Sequence, residues 1–304
     1  MKNLFIPFIA FAILCSCSDD ETGTPLAPLE ITKADFMTNY KVNGAPFTFF
    51  NVNPSEVVLP IAGANQTWDF SLLAETSSNT FGGSGFTAAA NTAFPTASYS
   101  YLGTESWSVG GAVSAAFPVT QFDEVSDSGF YDIGLRQNVT STISVPALGA
   151  VISFPIQNLP YTGTTKYPNV LFPAKMGNAA ITTSGIVFTN NFTVNAPALG
   201  LNNTPGQLKL TTSLVQEVIA SGTANLKGIG AKRVLITKTN VSDVSNYFLG
   251  GAPAPAVLLS TLGVVDGNTT TRTVYRVVAE GLGNVGFIEV NASGTVTRAR
   301  FRKG

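Results

Sequence analysis

The chain has 304 residues and no histidine. Its two cysteines, Cys15 and Cys17, lie two positions apart near the start, and none follows them. Charged residues make up only 12% of the chain. Good helix formers such as Glu, Lys, Gln and Met are scarce. Each shortage excludes something. Without histidine there is no Ser-His-Asp or Cys-His arrangement, and the commonest general base and transition-metal ligand are missing. Beyond residue 17 the body has no thiol chemistry and no disulfide. Catalysis is left to carboxylates, Lys, Tyr, Ser and Thr. No basic block interleaved with aromatics appears, so nucleic acid is not an expected partner. Nothing in the sequence calls for a cofactor.

Long apolar runs are missing too. A membrane-spanning helix needs about 20 apolar residues. The run Leu4 to Leu14 is about half that and is interrupted by Pro7. With Lys2 before it, it fits the apolar core of a secretory signal peptide. The segment Leu14-Cys15-Ser16-Cys17 at its end resembles a bacterial lipobox, with Cys17 at the invariant position. Cys15 in that place would need Ala12-Ile13-Leu14 before it, and Leu14 is too bulky next to the cut. The resemblance implies cleavage before Cys17, a diacylglycerol thioether on Cys17, and acylation of its new amine. The alternatives are an ordinary signal peptide with incidental cysteines, or a disulfide. A Cys-x-Cys ring is strained away from ordinary disulfide geometry. Two or more acyl chains anchor a protein stably, so the membrane is the first expected partner.

After Cys17 come Ser18, Asp19, Asp20 and Glu21. The simplest reading is a solvated linker. They also resemble the export signal of Bacteroidota lipoproteins, which implies the outer leaflet of the outer membrane. The alternative is the periplasmic leaflet. The expected organisation is a signal peptide at 1–16, a lipidated tether at 17–29 and one body at 30–304. A split into two lobes near 195–206, where prolines gather, is the alternative.

What the body has in quantity is Thr, Ser, Asn, Gly, Ala and Val, with 21 Phe. Thr and Val favour strands, and Gly, Asn and Pro punctuate them. Many short alternating stretches predict an all-β, antiparallel, sandwich-like body. Val139 to Ile156 alternates around a Pro-Ala-Leu-Gly turn. Ile181 to Val194 alternates around Asn190-Asn191. Further strands are expected over 207–220, 232–239, 272–279, 285–290 and 295–302. Ala256 to Leu262 is the one helical candidate. In Gly63-Ala64-Asn65-Gln66-Thr67-Trp68-Asp69-Phe70, a turn leads into a strand with Trp68 and Phe70 on one face. Burial is the simple account of Trp68, and a sugar-stacking platform is the functional one. Tyr99, Tyr101 and Trp107 punctuate a Gly/Ala/Ser-rich stretch, and Trp107 is a second candidate ligand contact.

This Asn-Gln-Thr-Trp-Asp-Phe-Ser stretch resembles an uncharacterised family of secreted or surface β-proteins from Bacteroidota. So do Leu159 to Thr165 and the strand pair Ser221–Ala224 with Ala231–Leu235. The resemblance implies a β fold and brings no activity. Relatives often end in a sorting domain, and this chain ends at Phe301-Arg302-Lys303-Gly304 without one.

Charge is unevenly placed. Residues 17–200 hold 5 Lys/Arg against 13 Asp/Glu, and residues 201–304 hold 11 against 5. An anionic ligand at the basic end, or two lobes that attract each other, would account for it. The second is simpler. Asp123, Asp127 and Asp132 are weak metal candidates, because their spacing does not match an EF-hand. Phe81 to Phe86 has glycines without the Lys-Ser/Thr of a phosphate loop. Arg298, Arg300 and Arg302 share one face of the last strand, and Arg272 and Arg276 one face of an earlier one. If those strands are neighbours, five guanidinium groups form a patch suited to phosphate or an acidic polysaccharide. The simpler reading is an edge strand charged against aggregation. The expected function is a non-catalytic binding module for a glycan, a matrix component or a partner protein. A structural part of a surface complex and a carboxylate-based glycoside hydrolase are the alternatives.

Overall fold

The computed structural model describes residues 27–83, 92–163 and 165–304. The lipobox, Cys17, Ser18, Asp19, Asp20 and Glu21 lie outside the described residues, as do residues 84–86 of the 81–86 stretch.

The body is all-β. Its strands are β1 (Glu30–Ile31), β2 (Phe47–Val52), β3 (Gly63–Asp69), β4 (Glu75–Phe81), β5 (Tyr99–Glu105), β6 (Ser108–Val109) and β7 (Ala112–Val113). Next come β8 (Phe117–Ser126), β9 (Gly129–Gln137), β10 (Ser141–Val145), β11 (Ala150–Phe154), β12 (Gln157–Gly163), β13 (Tyr167–Leu171) and β14 (Ala174–Lys175). The rest are β15 (Ile181–Ala196), β16 (Leu201–Leu226), β17 (Gly230–Leu249), β18 (Ala252–Pro253), β19 (Asn268–Ala279), β20 (Gly283–Asn291) and β21 (Val296–Lys303). The expected helix is present at Ala256–Thr261. A second one, Lys33–Met37, was not anticipated. The Asp35 carboxylate accepts from the Thr32 backbone N–H at 2.8 Å, which caps its start.

One antiparallel path runs β4–β2–β21–β20–β19–β17–β16–β15–β12–β9–β8–β5. The sheet curls until its two ends approach, giving a nearly closed barrel or sandwich. Among the described residues no ladder joins β4 to β5. The seam is bridged by side chains instead, with the rings of Phe81 and Tyr101 5.0 Å apart and edge to face.

Strand β2 is buried on both faces. In β2, Phe50 and Val52 enter one apolar cluster with Phe70, Val277, Ile288 and Phe301. Phe47 and Phe49 point the other way, toward Tyr40, Tyr99 and Phe130 across the interior. Strict alternation in a strand with apolar residues at 47, 49, 50 and 52 demands these two cores.

β3 joins the sheet in parallel, its Trp68 opposite Ala224 of β16. Gly63-Ala64-Asn65 is a bulge at the start of this strand rather than a free turn, since Ala220 pairs with Gly63 and Gly222 with Gln66. The strand pair Ser221–Ala224 with Ala231–Leu235 is one register of the β16–β17 ladder. Asn190 and Asn191 do not break β15. Asn190 is buried and accepts from the Gln157 amide at 2.9 Å. Residues 197–200 form the tight turn of the β15–β16 hairpin.

Gly222 allows the β3–β16 approach. A Cβ there would lie 1.9 Å from the Gln66 carbonyl oxygen. Gly222→Val is expected to lower stability by about 2–4 kcal/mol, read from denaturant midpoints. Gly111→Ala, where a Cβ meets nothing within 4 Å, is expected to stay within about 0.5 kcal/mol of wild type.

Candidate functional site

The sheet path folds the acidic strands β5, β8 and β9 over the arginine-bearing strands β19 and β21. A cavity of about 120 Å³ lies between them. Its charged lining residues are Asp123, Asp132, Arg276 and Arg300, and Tyr40, Tyr99, Tyr101, Asn169 and Asn284 supply further polar groups. Phe47, Phe49, Phe81 and Phe130 close the apolar sides.

Local sequence explains the acidic wall. Tyr99 of β5 pairs with Asp123 of β8, and Asp123 pairs with Asp132 of β9. All three line the cavity. Regular alternation would put Asp132 and Leu135 on opposite faces, yet both point inward. The register shifts between Phe122 and Asp123, so that Phe122 pairs with Gly134 and Asp123 with Asp132. Ile133 is the extra residue of a β-bulge, and such bulges re-aim side chains. Gly134, at φ 121°, takes the backbone conformation the bulge needs. Its N–H donates to Asp132 Oδ1 at 2.9 Å.

Two carboxyl groups lie side by side on neighbouring strands, Asp123 buried and Asp132 half-buried. Burial raises both pKa values, and each charge disfavours the other. Asp123 is held well above the usual carboxylate range by burial and by the Asp132 charge. Asp132 is pushed up to about 7 by burial, against the opposing effects of the Gly134 N–H and Arg276.

The basic wall sits opposite. β19 and β21 are not adjacent, because β20 lies between them. Nor is β21 an edge strand, since it pairs with β20 on one side and β2 on the other. The aggregation-guard reading of its arginines therefore falls. The five guanidinium groups separate into distinct roles. Arg302 is buried, donates to the Leu282 carbonyl at 3.0 Å and to Asn39 Oδ1 at 3.2 Å, and covers the Phe47 ring. It is a structural clamp. Arg272 is ion-paired with Asp243 and lies 3.9 Å from Glu289. Arg298 is exposed at the outer end of the row, over the Phe287 ring. Arg276 and Arg300 face the cavity. Arg276 donates to Asn169 Oδ1. Arg300 lies over the rings of Phe49, Phe81 and Phe287, a cation–π arrangement.

Three buried polar atoms on the cavity residues have no hydrogen-bond partner among the described residues: Tyr99 Oη, Asn284 Oδ1 and Arg300 Nε. Tyr99 is 0% exposed and Asn284 5%. Native proteins rarely leave such groups unpaired without a reason.

The other sequence candidates lie elsewhere. Asp127 is on the β8–β9 turn, 96% exposed, and pairs with Lys33 at 3.0 Å. It does not join Asp123 and Asp132, and no metal-binding cluster is present among the described residues. Trp68 packs, partly buried, against the apolar cluster of β2 and β16 that holds Phe50 and Phe70. Trp107 donates from Nε1 to Gln137 Oε1 at 2.9 Å and packs on Phe117 and Phe154. It walls a separate apolar pocket of about 180 Å³, roofed by the helix Ala256–Thr261. Sequence reasoning did not bring Tyr99, Tyr101 and Asn284 to the site. Their strands pair across the fold, and one-letter spacing carries no trace of that.

No known protein family matches the chain, and no curated protein matches it. Among solved structures, a Bacteroides fragilis protein of YmcC-like fold, provisionally described as exported, aligns with 88% of this chain and 98% of its own. The identity is 7% and the TM-score 0.25. A likeness of that size carries no argument about fold or function.

The aspartate pair sets a pH dependence. Both folded-state pKa values are raised, so the folded protein holds protons more tightly than the unfolded chain. Stability therefore falls as pH rises from the unfolded carboxylate range, about 4, through 7. Asp132→Asn and Asp123→Asn are each expected to flatten that decline. At pH 8 each should be more stable than wild type by about 0.5–2 kcal/mol, and near wild type at pH 4.5. Thermal melts across this range check it, and curves parallel to wild type would contradict the assignment.

Proposed function

We propose that this chain is an exported lipoprotein, anchored through acyl chains on Cys17 in the outer membrane and facing the cell exterior. Its body binds a small polar ligand, of glycan type, in the cleft between the acidic and arginine-bearing walls. The observation that carries the binding reading is the cavity itself. It keeps Tyr99 Oη and Asn284 Oδ1 buried and unpaired beside four charged side chains. A core selected only for stability would fill such a space with apolar side chains. The anchor rests on the lipobox resemblance, and surface exposure rests on Ser18 to Glu21.

The hydrolase alternative needs two carboxyl groups flanking a glycosidic bond. Asp123 and Asp132 do meet in a cleft with aromatic walls. They stand side by side on neighbouring strands of one sheet, so they address a ligand from the same side. That arrangement favours holding over cleaving.

Metabolic fatty-acid labelling of wild type and Cys17→Ala tests the anchor, with protease added to intact cells. Label on wild type alone, with digestion, is expected. Label with protection from protease moves the protein to the periplasmic leaflet, and no label removes the anchor. For the cleft, thermal melts of the full chain in detergent against mono- and disaccharides are expected to show a stabilising sugar. That shift should be lost in Asp123→Asn. A sugar that stabilises wild type and variant equally binds elsewhere and counts against the cleft.

A further inference from the structure

The charge of the cavity specifies its ligand more closely, given the binding reading above. Two carboxyl groups side by side in an enclosed site disfavour each other's ionisation, so together they carry less than their full charge of −2. Arg276 and Arg300 bring +2 to the same lining. No ion pair of 4.0 Å or less joins either arginine to either aspartate among the described residues. The walls face each other across a gap in which neither arginine has a carboxylate at ion-pair distance among the described residues, although Glu105 acts on Arg300 through space from outside the lining. A buried charge without a partner is strongly unfavourable.

The remaining groups suit hydroxyls. Asn284 Oδ1 can only accept. Tyr99 Oη can donate or accept, and an aspartate pair that resists full ionisation can do both. Hydroxyl groups, donor and acceptor at once, match this set. A phosphate dianion does not match, because the aspartates would repel it. Arg300 Nε is buried without a partner among the described residues, and a guanidinium can pair with a carboxylate through two parallel N–H donors. The rings of Phe49 and Phe81, edge to face with each other, line the apolar side next to that guanidinium. Volume sets the size. At about 10–15 Å³ per water-sized probe, 120 Å³ suits one small organic molecule and not a polymer chain. Exposure sets the direction of entry. Along the inner face of β21, Arg302 is buried, Arg300 half-buried and Arg298 exposed, so the cleft deepens from Arg298 toward Arg302.

We infer that the cavity binds one hydroxylated monocarboxylate of monosaccharide size, a uronic acid being the natural representative. Its carboxylate pairs with Arg300 and Arg276. Its hydroxyls are held by Asp123, Asp132, Tyr99 and Asn284.

Calorimetric titration of the full chain in detergent tests this with D-glucuronate and D-galacturonate against D-glucose and D-galactose. Each pair differs by a carboxylate in place of a CH₂OH group. Both uronates are expected to bind, and the neutral sugars at least about 10-fold more weakly. Arg300→Gln should erase that preference. Tyr99→Phe, which removes one oxygen, should weaken uronate binding about 3–10-fold, and it carries the test if Arg300→Gln fails to fold. A purely structural Tyr99 would leave affinity unchanged. If the neutral sugars bind as tightly as the uronates, the monocarboxylate assignment falls while cleft binding stands. If none of the four binds, both fall. If Arg300→Gln or Tyr99→Phe folds and keeps full uronate affinity, the site lies elsewhere and the inference is overturned.

Discussion

Everything in this molecule hangs from one hydrogen-bonded ribbon, the β16–β17 hairpin. β16 is 26 residues long and β17 is 20. β17 pairs with β16 from Gly206 to Leu226 and hands the sheet on to β19. The other edge of β16 is shared. Its first half carries β15, and its second half carries β3 in parallel. Acidic strands therefore hang from one end of the path and arginine-bearing strands from the other. Because the sheet curls, the two ends must face each other. The prolines near 195–206 mark the tip of a hairpin inside this continuous sheet. Gln216, in the middle of β16, stitches the layers. Its amide donates to the Asn169 carbonyl of β13 at 3.1 Å and its oxygen accepts from the Leu171 N–H at 2.9 Å.

This topology converts a pattern along the chain into one in space. The excess of acids before residue 200 and of bases after it becomes two opposed walls. The walls act on each other through space, since Arg276 and Arg300 favour the charged form of Asp123. They do not close into ion pairs at the cavity. Arg302 and Arg272 show what closure looks like in this protein. One is buried with two hydrogen bonds and an aromatic face, and the other is paired with Asp243. Arg276 and Arg300, on the same inner face, are left opposite the aspartates across open space.

The strand pattern was legible because burial on one or both faces writes period-two alternation into the sequence. The Pro-Ala-Leu-Gly turn at 146–149 was legible as well, and an identical tetrapeptide at 197–200 makes the second hairpin. The short helix at Lys33–Met37 was missed, although Thr32 and Asp35 have the spacing of a cap. Asn190-Asn191 misled, since Asn favours turns but here Asn190 is paid for by a partner amide from Gln157. The arginine row on β21 was readable as a row, but its place in the sheet was not. Whether a strand is at an edge or in the centre depends on its partners, and those lie 250 residues away at Phe47–Val52. The aspartates were readable as a cluster of four acids. Their separation into a surface turn (Asp127) and an interior pair (Asp123, Asp132) depends on one bulge at Ile133.

That bulge is the most informative local feature of the site. A bulge interrupts pairing and leaves a residue unmatched in the ladder. Removing it would send Asp132 outward into water, where a carboxylate is at ease. Instead β9 gives up a regular register to aim a second carboxyl at the first. The same interior leaves Tyr99 and Asn284 with unpaired atoms, although Phe or Leu would pack there at no polar penalty. Three departures from the most stable arrangement converge on one small space: a bulge, a like-charged pair and orphaned polar atoms. A further unpaired atom, Thr237 Oγ1, lies away from the cavity. The bulge, the carboxyl pair and the other three orphaned atoms converge within reach of Arg300, and that convergence is what makes the cavity the candidate site.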